Sequence, residues 1–212
     1  MRRRLVCLLF GLLVLDGCAK FSEHKLDATS ARGIHKILLL EPPAQAGGFI
    51  DGSLDSTVSQ ALRARGFNTR TAFTEAMAEA LRADGYQVEI QHIMHLAPHL
   101  LDSYAGIKTD ADAVFDVVEI VMYRDGWSYG YTPTMSFQAR LATLPDGRPV
   151  YELAHGPQMR ANAVSPLPLQ VTKDMRLTEA QLRGDPAAVE AAIRATLQAG
   201  ARHLAVAVRP AP

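Results

Sequence analysis
Cysteine and tryptophan are scarce in this chain: two cysteines and one tryptophan in 212 residues. Two cysteines exclude a disulfide scaffold and a cysteine-built structural zinc site. Charge of one sign is not in excess, since 22 Lys plus Arg stand against 22 Asp plus Glu. A nucleic-acid binder, which needs a basic face to displace counterions, is therefore not expected. An apolar run long enough to span a bilayer comfortably is also lacking. With 48% hydrophobic residues, the chain still has enough apolar material for one domain with a real core.

Both cysteines, Cys7 and Cys18, fall in the first twenty residues, MRRRLVCLLFGLLVLDGCAK. Arg2, Arg3 and Arg4 precede an apolar run from Leu5 to Leu15, the pattern of a secretory signal rather than of fold. The run ends in Leu15-Asp16-Gly17-Cys18, which resembles the bacterial lipobox, with Asp16 where an uncharged residue is usual. The resemblance implies a signal peptide over 1–17 and a lipid on Cys18, with a signal anchor and an idle thiol as the alternative. Cleavage before Cys18 removes three arginines and one aspartate, leaving 19 basic and 21 acidic side chains, a formal charge of −2. Anchoring would then come from acyl chains, not from polybasic attraction to lipid. Ala19 after the cysteine implies the outer membrane, by resemblance to enterobacterial sorting.

Residues 18–33 are polar without a sustained period and read as the lipidated N-terminus and a tether that lets the domain stand off the membrane. The domain is expected over 34–208. Ile37-Leu38-Leu39-Leu40 is an unalternating apolar run before Pro42-Pro43, as in a central strand covered on both faces. The loop AQAGGFIDGS lacks the Lys and Ser/Thr of a phosphate cradle and reads as an ordinary connection. Two helices follow, with stripes Leu54, Val58, Leu62 and Phe73, Met77, Leu81, closed by Gly66 and Gly85. The second, expected over about 71–84, leads into the alternating strand Tyr86–Ile90.

A short helix is expected near 98–104. Residues 113–123, AVFDVVEIVMY, and the alternating Met135, Phe137, Ala139 and Leu141 then form a long antiparallel hairpin. Pro145-Asp146-Gly147-Arg148 turns the chain into a third strand at Val150–Leu153. Asp185-Pro186 opens a last helix to about 202, with stripe Val189, Ile193, Leu197. Segment 156–184 has no period and is expected to wrap the surface. The fold class is thus α/β (α+β), a single domain with a mixed sheet that includes an antiparallel meander, and helices packed on it.

Asp110-Ala111-Asp112-Ala113-Val114 before a strand, then Arg140-Leu141-Ala142-Thr143-Leu144-Pro145-Asp146-Gly147 and Pro149-Val150-Tyr151, resemble motifs of small Gram-negative envelope lipoproteins of the curli-secretion and penicillin-binding-protein-activator type. The likeness covers about 34–155. It implies a nonenzymatic protein that works by protein contact, with no cofactor, as an outer-membrane-anchored, periplasm-facing accessory or scaffold. Its partners would be the membrane through its lipid, envelope proteins of unknown identity, and a homo-oligomer in some members. A subunit of an oligomeric export channel and an envelope hydrolase are the alternatives.

Chemistry-bearing patterns are sparse. His92, His95 and His99 lie within eight residues, but Pro98 disfavours the helix that would align His95 with His99, and solvated or capping roles are expected over zinc. No G-x-S-x-G occurs. Asp110 and Asp112 are expected in a turn, and Asp116 with Glu119 would serve a glycosidase only by converging across a cleft. The strongest recognition candidate is the hairpin tip, where Tyr123, Trp127, Tyr129 and Tyr131 place the sole Trp and three of six Tyr within nine residues. The alternative is that they fold back on the sheet or pair across strands.

Overall fold
A computed structural model describes residues 21–24, 26, 28–42, 49–50, 53–93, 100–125, 131–155 and 176–209. In chain order these form β1 (Phe21–His24), α1 (Ala28–Ala31), β2 (Lys36–Leu40), β3 (Phe49–Ile50), α2 (Ser53–Ala64), α3 (Thr69–Ala83), β4 (Gln87–Gln91), β5 (Ala113–Asp125), β6 (Tyr131–Thr143), β7 (Pro149–His155), α4 (Glu179–Gly184) and α5 (Pro186–Ala207). The protein is an α/β domain with one mixed sheet in the order β1-β7-β6-β5-β2-β4, and β3 beside the far half of β5. Strand β2 pairs in parallel with β4 and β5, while β5, β6, β7 and β1 run antiparallel in succession.

The apolar run of β2 is central as expected, and Ile37, Leu38, Leu39 and Leu40 are all buried. Alternation splits them between two layers. Ile37 and Leu39 join Phe115, Val117, Leu141 and Tyr151 in a large core against the helices. Leu38 and Leu40 join Val114, Ala142 and Tyr104 on the opposite face. Helix α3 has the expected stripe, with Phe73, Met77 and Leu81 fully buried, and Asn68 accepts N–H bonds from Arg70 and Thr71 at its start. Gly66 and Gly85 take positive φ (70° and 93°), the left-handed exits read from sequence. In α5 the Asp185 carboxylate accepts from Ala188 N, and Val189, Ile193 and Leu197 are buried; the helix runs five residues past the expected end.

Four expectations change. The segment read as a tether supplies β1, paired residue for residue with β7 from Phe21↔His155 to His24↔Glu152, so the sheet includes residues ahead of the expected start at 34. The loop after β2 supplies β3, which pairs with Met122 and Tyr123. Leu100–Tyr104, within the expected short helix, are not helical. Strand β4 is an edge, so Ile90 stays 46% exposed although its alternation suggested a covered face. Within 156–184, α4 is ordered by a capping box in which Thr178 and Gln181 satisfy each other's backbone N–H.

Candidate functional site
The face of the sheet opposite the helices is covered by the chain from Leu100 to Asp112, and that cover is fastened by polar side chains at the centre of the hairpin. Asp116 and Arg140 are register partners on β5 and β6. Asp116 is 1% exposed, and its Oδ2 accepts from Leu101 N (2.7 Å) and from the Tyr104 hydroxyl (3.3 Å). Arg140 Nη1 donates to Leu101 O (3.1 Å), while Nε and Nη2 donate to Glu152 Oε1 on β7 (3.2 and 2.8 Å). One peptide residue, Leu101, is thus gripped at its N–H by an anion and at its C=O by a cation. Burial, followed by the nearby Asp116 charge, pushes the Tyr104 hydroxyl above its ordinary range, so it remains a protonated donor. Both bonds accepted by Asp116, and the one accepted by Leu101 O, hold the cover down. The arrangement is a clasp, in which the second carboxylate, Glu152, is held by the Arg140 guanidinium.

At the carboxyl ends of β2 and β4, Glu41 joins two elements. Its Oε2 lies 2.7 Å from His92 Nδ1, and its Oε1 lies 3.3 Å from Arg70 Nε near the start of α3. Of the three clustered histidines only His92 is described; His95 and His99 lie outside the described residues. Among the described residues, no group of three His, Cys, Asp or Glu side chains gathers to hold a metal ion. A shallow groove of about 290 Å³ between α3 and α5 is lined by Ala76, Glu79, Ala80, Ala83, Gln198 and Arg202. Glu79 and Arg202 are its charged groups, and they bring no nucleophile.

Asp110 and Asp112 sit in the turn before β5, as expected. The Asp112 carboxylate accepts from the backbone N–H groups of His35 and Lys36, both at 2.8 Å. Those two bonds, Lys36 first, hold it below the usual carboxylate range. Asp110 pairs with Lys36, whose ammonium also meets Glu89 at 3.1 Å. These contacts fasten the amino end of β2 between β4 and β5. The side chain of Glu119 lies outside the described residues.

Of the aromatic hairpin residues, Tyr123 pairs in the backbone with Pro133 and Ile50, and Tyr131 pairs with Asp125. Tyr131 also exchanges backbone hydrogen bonds with Leu177 (2.7 and 2.9 Å), and its half-buried side chain packs against the helix-side core. Trp127, Tyr129 and Cys18 lie outside the described residues. Sequence reading missed the Leu101 clasp. The available signal was a pair of opposite charges, Asp116 and Arg140, in the two strands that the sequence pairs as a hairpin.

No protein-family profile and no curated protein matches the chain. Among solved structures it is similar to a neuraminyllactose-binding hemagglutinin homolog from Helicobacter pylori, at 11% identity over 81% of each chain, with a TM-score of 0.41. It is also similar to a PelC dodecamer from Paraburkholderia phytofirmans, at 11% identity over 85% of this chain and 95% of that one, with a TM-score of 0.33. Likenesses at this level leave the function to be argued from the chain itself. No helix among the described residues is long and apolar enough to cross a membrane.

Proposed function
We propose that the protein is a lipid-anchored envelope lipoprotein that acts by protein contact, as an accessory or scaffold on the periplasmic side of the outer membrane. The observation that carries this is the pattern Arg2-Arg3-Arg4, an eleven-residue apolar run and Leu15-Asp16-Gly17-Cys18, followed within three residues by the first strand of the domain. A basic start with a short apolar stretch suits export, and a cysteine at its end suits acylation. The rest of the chain supports a noncatalytic role. Its best-defined polar cluster is spent on the Leu101 clasp, and the resemblance of its turn motifs to curli-secretion and penicillin-binding-protein-activator lipoproteins points the same way.

The contact surface we favour is the open edge of β4. Among the described residues Ile90 and Val206 are the exposed large hydrophobics, and Ile90 stands on a strand that has one unshared edge among them. The Arg82 guanidinium covers one edge carbonyl, Val88 O, at 3.2 Å. The decisive experiment is the mass of the N-terminal peptide from the membrane fraction. A peptide beginning at Cys18 and carrying diacylglyceryl and acyl groups is expected; an unmodified peptide beginning upstream of Cys18 overturns the assignment.

A further inference from the structure
Helices α3 and α5 lie side by side and run in the same direction. Just before α3 begins, the Phe67 ring carries the Arg194 guanidinium 4.9 Å from its centroid, and just past the end of α3, Asp84 pairs with Arg209. These two ties set Arg202 within about one helical turn of the level of Glu79. The groove between the helices has a floor of Ala76, Ala80 and Ala83, with Glu79 on the α3 wall and Arg202 on the α5 wall. Both charged side chains are exposed. Nearby charges are matched within the chain, Glu190 by Arg65 and Arg194, and Asp84 by Arg209. Arg202 Nε donates to Gln198 O of its own helix at 3.3 Å, but among the described residues neither Arg202 nor Glu79 has an ion-pair partner. Val206, one turn beyond Arg202, is 59% exposed.

We infer that this face docks on the same face of a second copy of the chain, in a two-fold pair in which Glu79 of each copy meets Arg202 of the other. A two-fold axis standing on the groove between the acid and the base exchanges the two walls, so a patch with opposite charges on opposite walls is complementary to itself. The same axis lays α3 of one copy antiparallel over α5 of the other. The alanine floor has no long side chain to hold those helices beyond the usual spacing of about 8–10 Å. Each Val206 is carried over the amino half of the other copy's α3, where its exposed surface is covered. A second copy is favoured over a strongly acidic or basic partner because the two wall charges cancel, and only a surface of the same pattern satisfies both. Two helix faces about 22 Å long give a patch of roughly 450 Å² on each copy, about half of a standard interface. The pair is therefore weak, with a dissociation constant of roughly 10 µM or more. It leaves the β4 edge free and does not depend on the proposed lipid anchor.

Sedimentation equilibrium of the full-length protein in a density-matched nonionic detergent, at up to roughly 300 µM, tests this directly. The parent should reach twice the protomer mass, and Glu79→Arg and Arg202→Glu should each weaken association about ten-fold by setting like charges against each other. An equimolar mixture of the two variants should recover it, because one copy then carries two cations and the other two anions at the facing positions. Mixing is the deciding arm: a contact within one chain would be rescued by combining the substitutions in that chain, never by mixing. Association of the parent should also weaken several-fold between about 0.05 and 1 M NaCl, a reading that needs no substitution. A parent that stays a protomer throughout overturns the inference, as do association indifferent to salt, variants that associate as the parent does, and a mixture that stays apart.

Discussion
Asp112 shows how one side chain can secure a strand. Its carboxylate is reached by two backbone N–H groups at the entry of β2, and its own backbone N–H donates to Lys36 O at 2.9 Å. Because those donors favour the ionised form, the folded pKa is depressed below the unfolded value. The stabilisation is therefore present above the unfolded pKa, near 4, and is lost as pH falls through the folded one. Asp112→Asn keeps one acceptor but no charge. Urea midpoints measured from pH 7 to pH 2 should fall less steeply for the variant than for the parent, and parallel curves would remove the role. At this scale the sequence was partly informative: Asp112 was placed in a turn, but its partners are 76 and 77 residues away and leave no local trace. Gly200 is a similar case. A Cβ there would run into Met135 Sδ, a constraint invisible until α5 lies across β6.

The elements that sequence reading found are those whose own periodicity records their burial. The stripe of α3, the unbroken apolarity of β2 and the alternation in β6 each register one partner surface, so they could be read without knowing that partner. Segment 100–112 registers none. It has no repeating period, and it is held by Asp116 and Arg140 from the strands beneath and by Tyr104 and Ala111 in the smaller core. Its stability should therefore depend on the clasp more than on its own sequence. Asp116→Ala leaves the Leu101 N–H and the Tyr104 hydroxyl without their acceptor and removes the anion facing Arg140. The cost expected for such a buried charged partner is about 3 kcal/mol. Amide hydrogen exchange should report it first at 100–112, with protection there falling before that of α3 or α5. Uniform loss across the domain would show that the segment is not a separately fastened cover.

At the scale of the whole molecule, the sheet is closed by its most distant parts. Strand β1 pairs with a strand that follows it by some 130 residues, and its four residues, Phe21-Ser22-Glu23-His24, have one apolar side chain among them and carry no other signal of that pairing. This is why the segment resembled a tether, and the difference has mechanical consequences. A tether could be shortened freely, whereas β1 covers the outer edge of β7 and fixes where the chain leaves the domain. Deleting residues 19–24 while keeping Cys18 should expose the β7 edge. Amides of Glu152–His155 would then exchange at least ten-fold faster, and the protein should associate more readily through that edge. Unchanged protection at Glu152–His155 would mean that the strand adds nothing to the sheet.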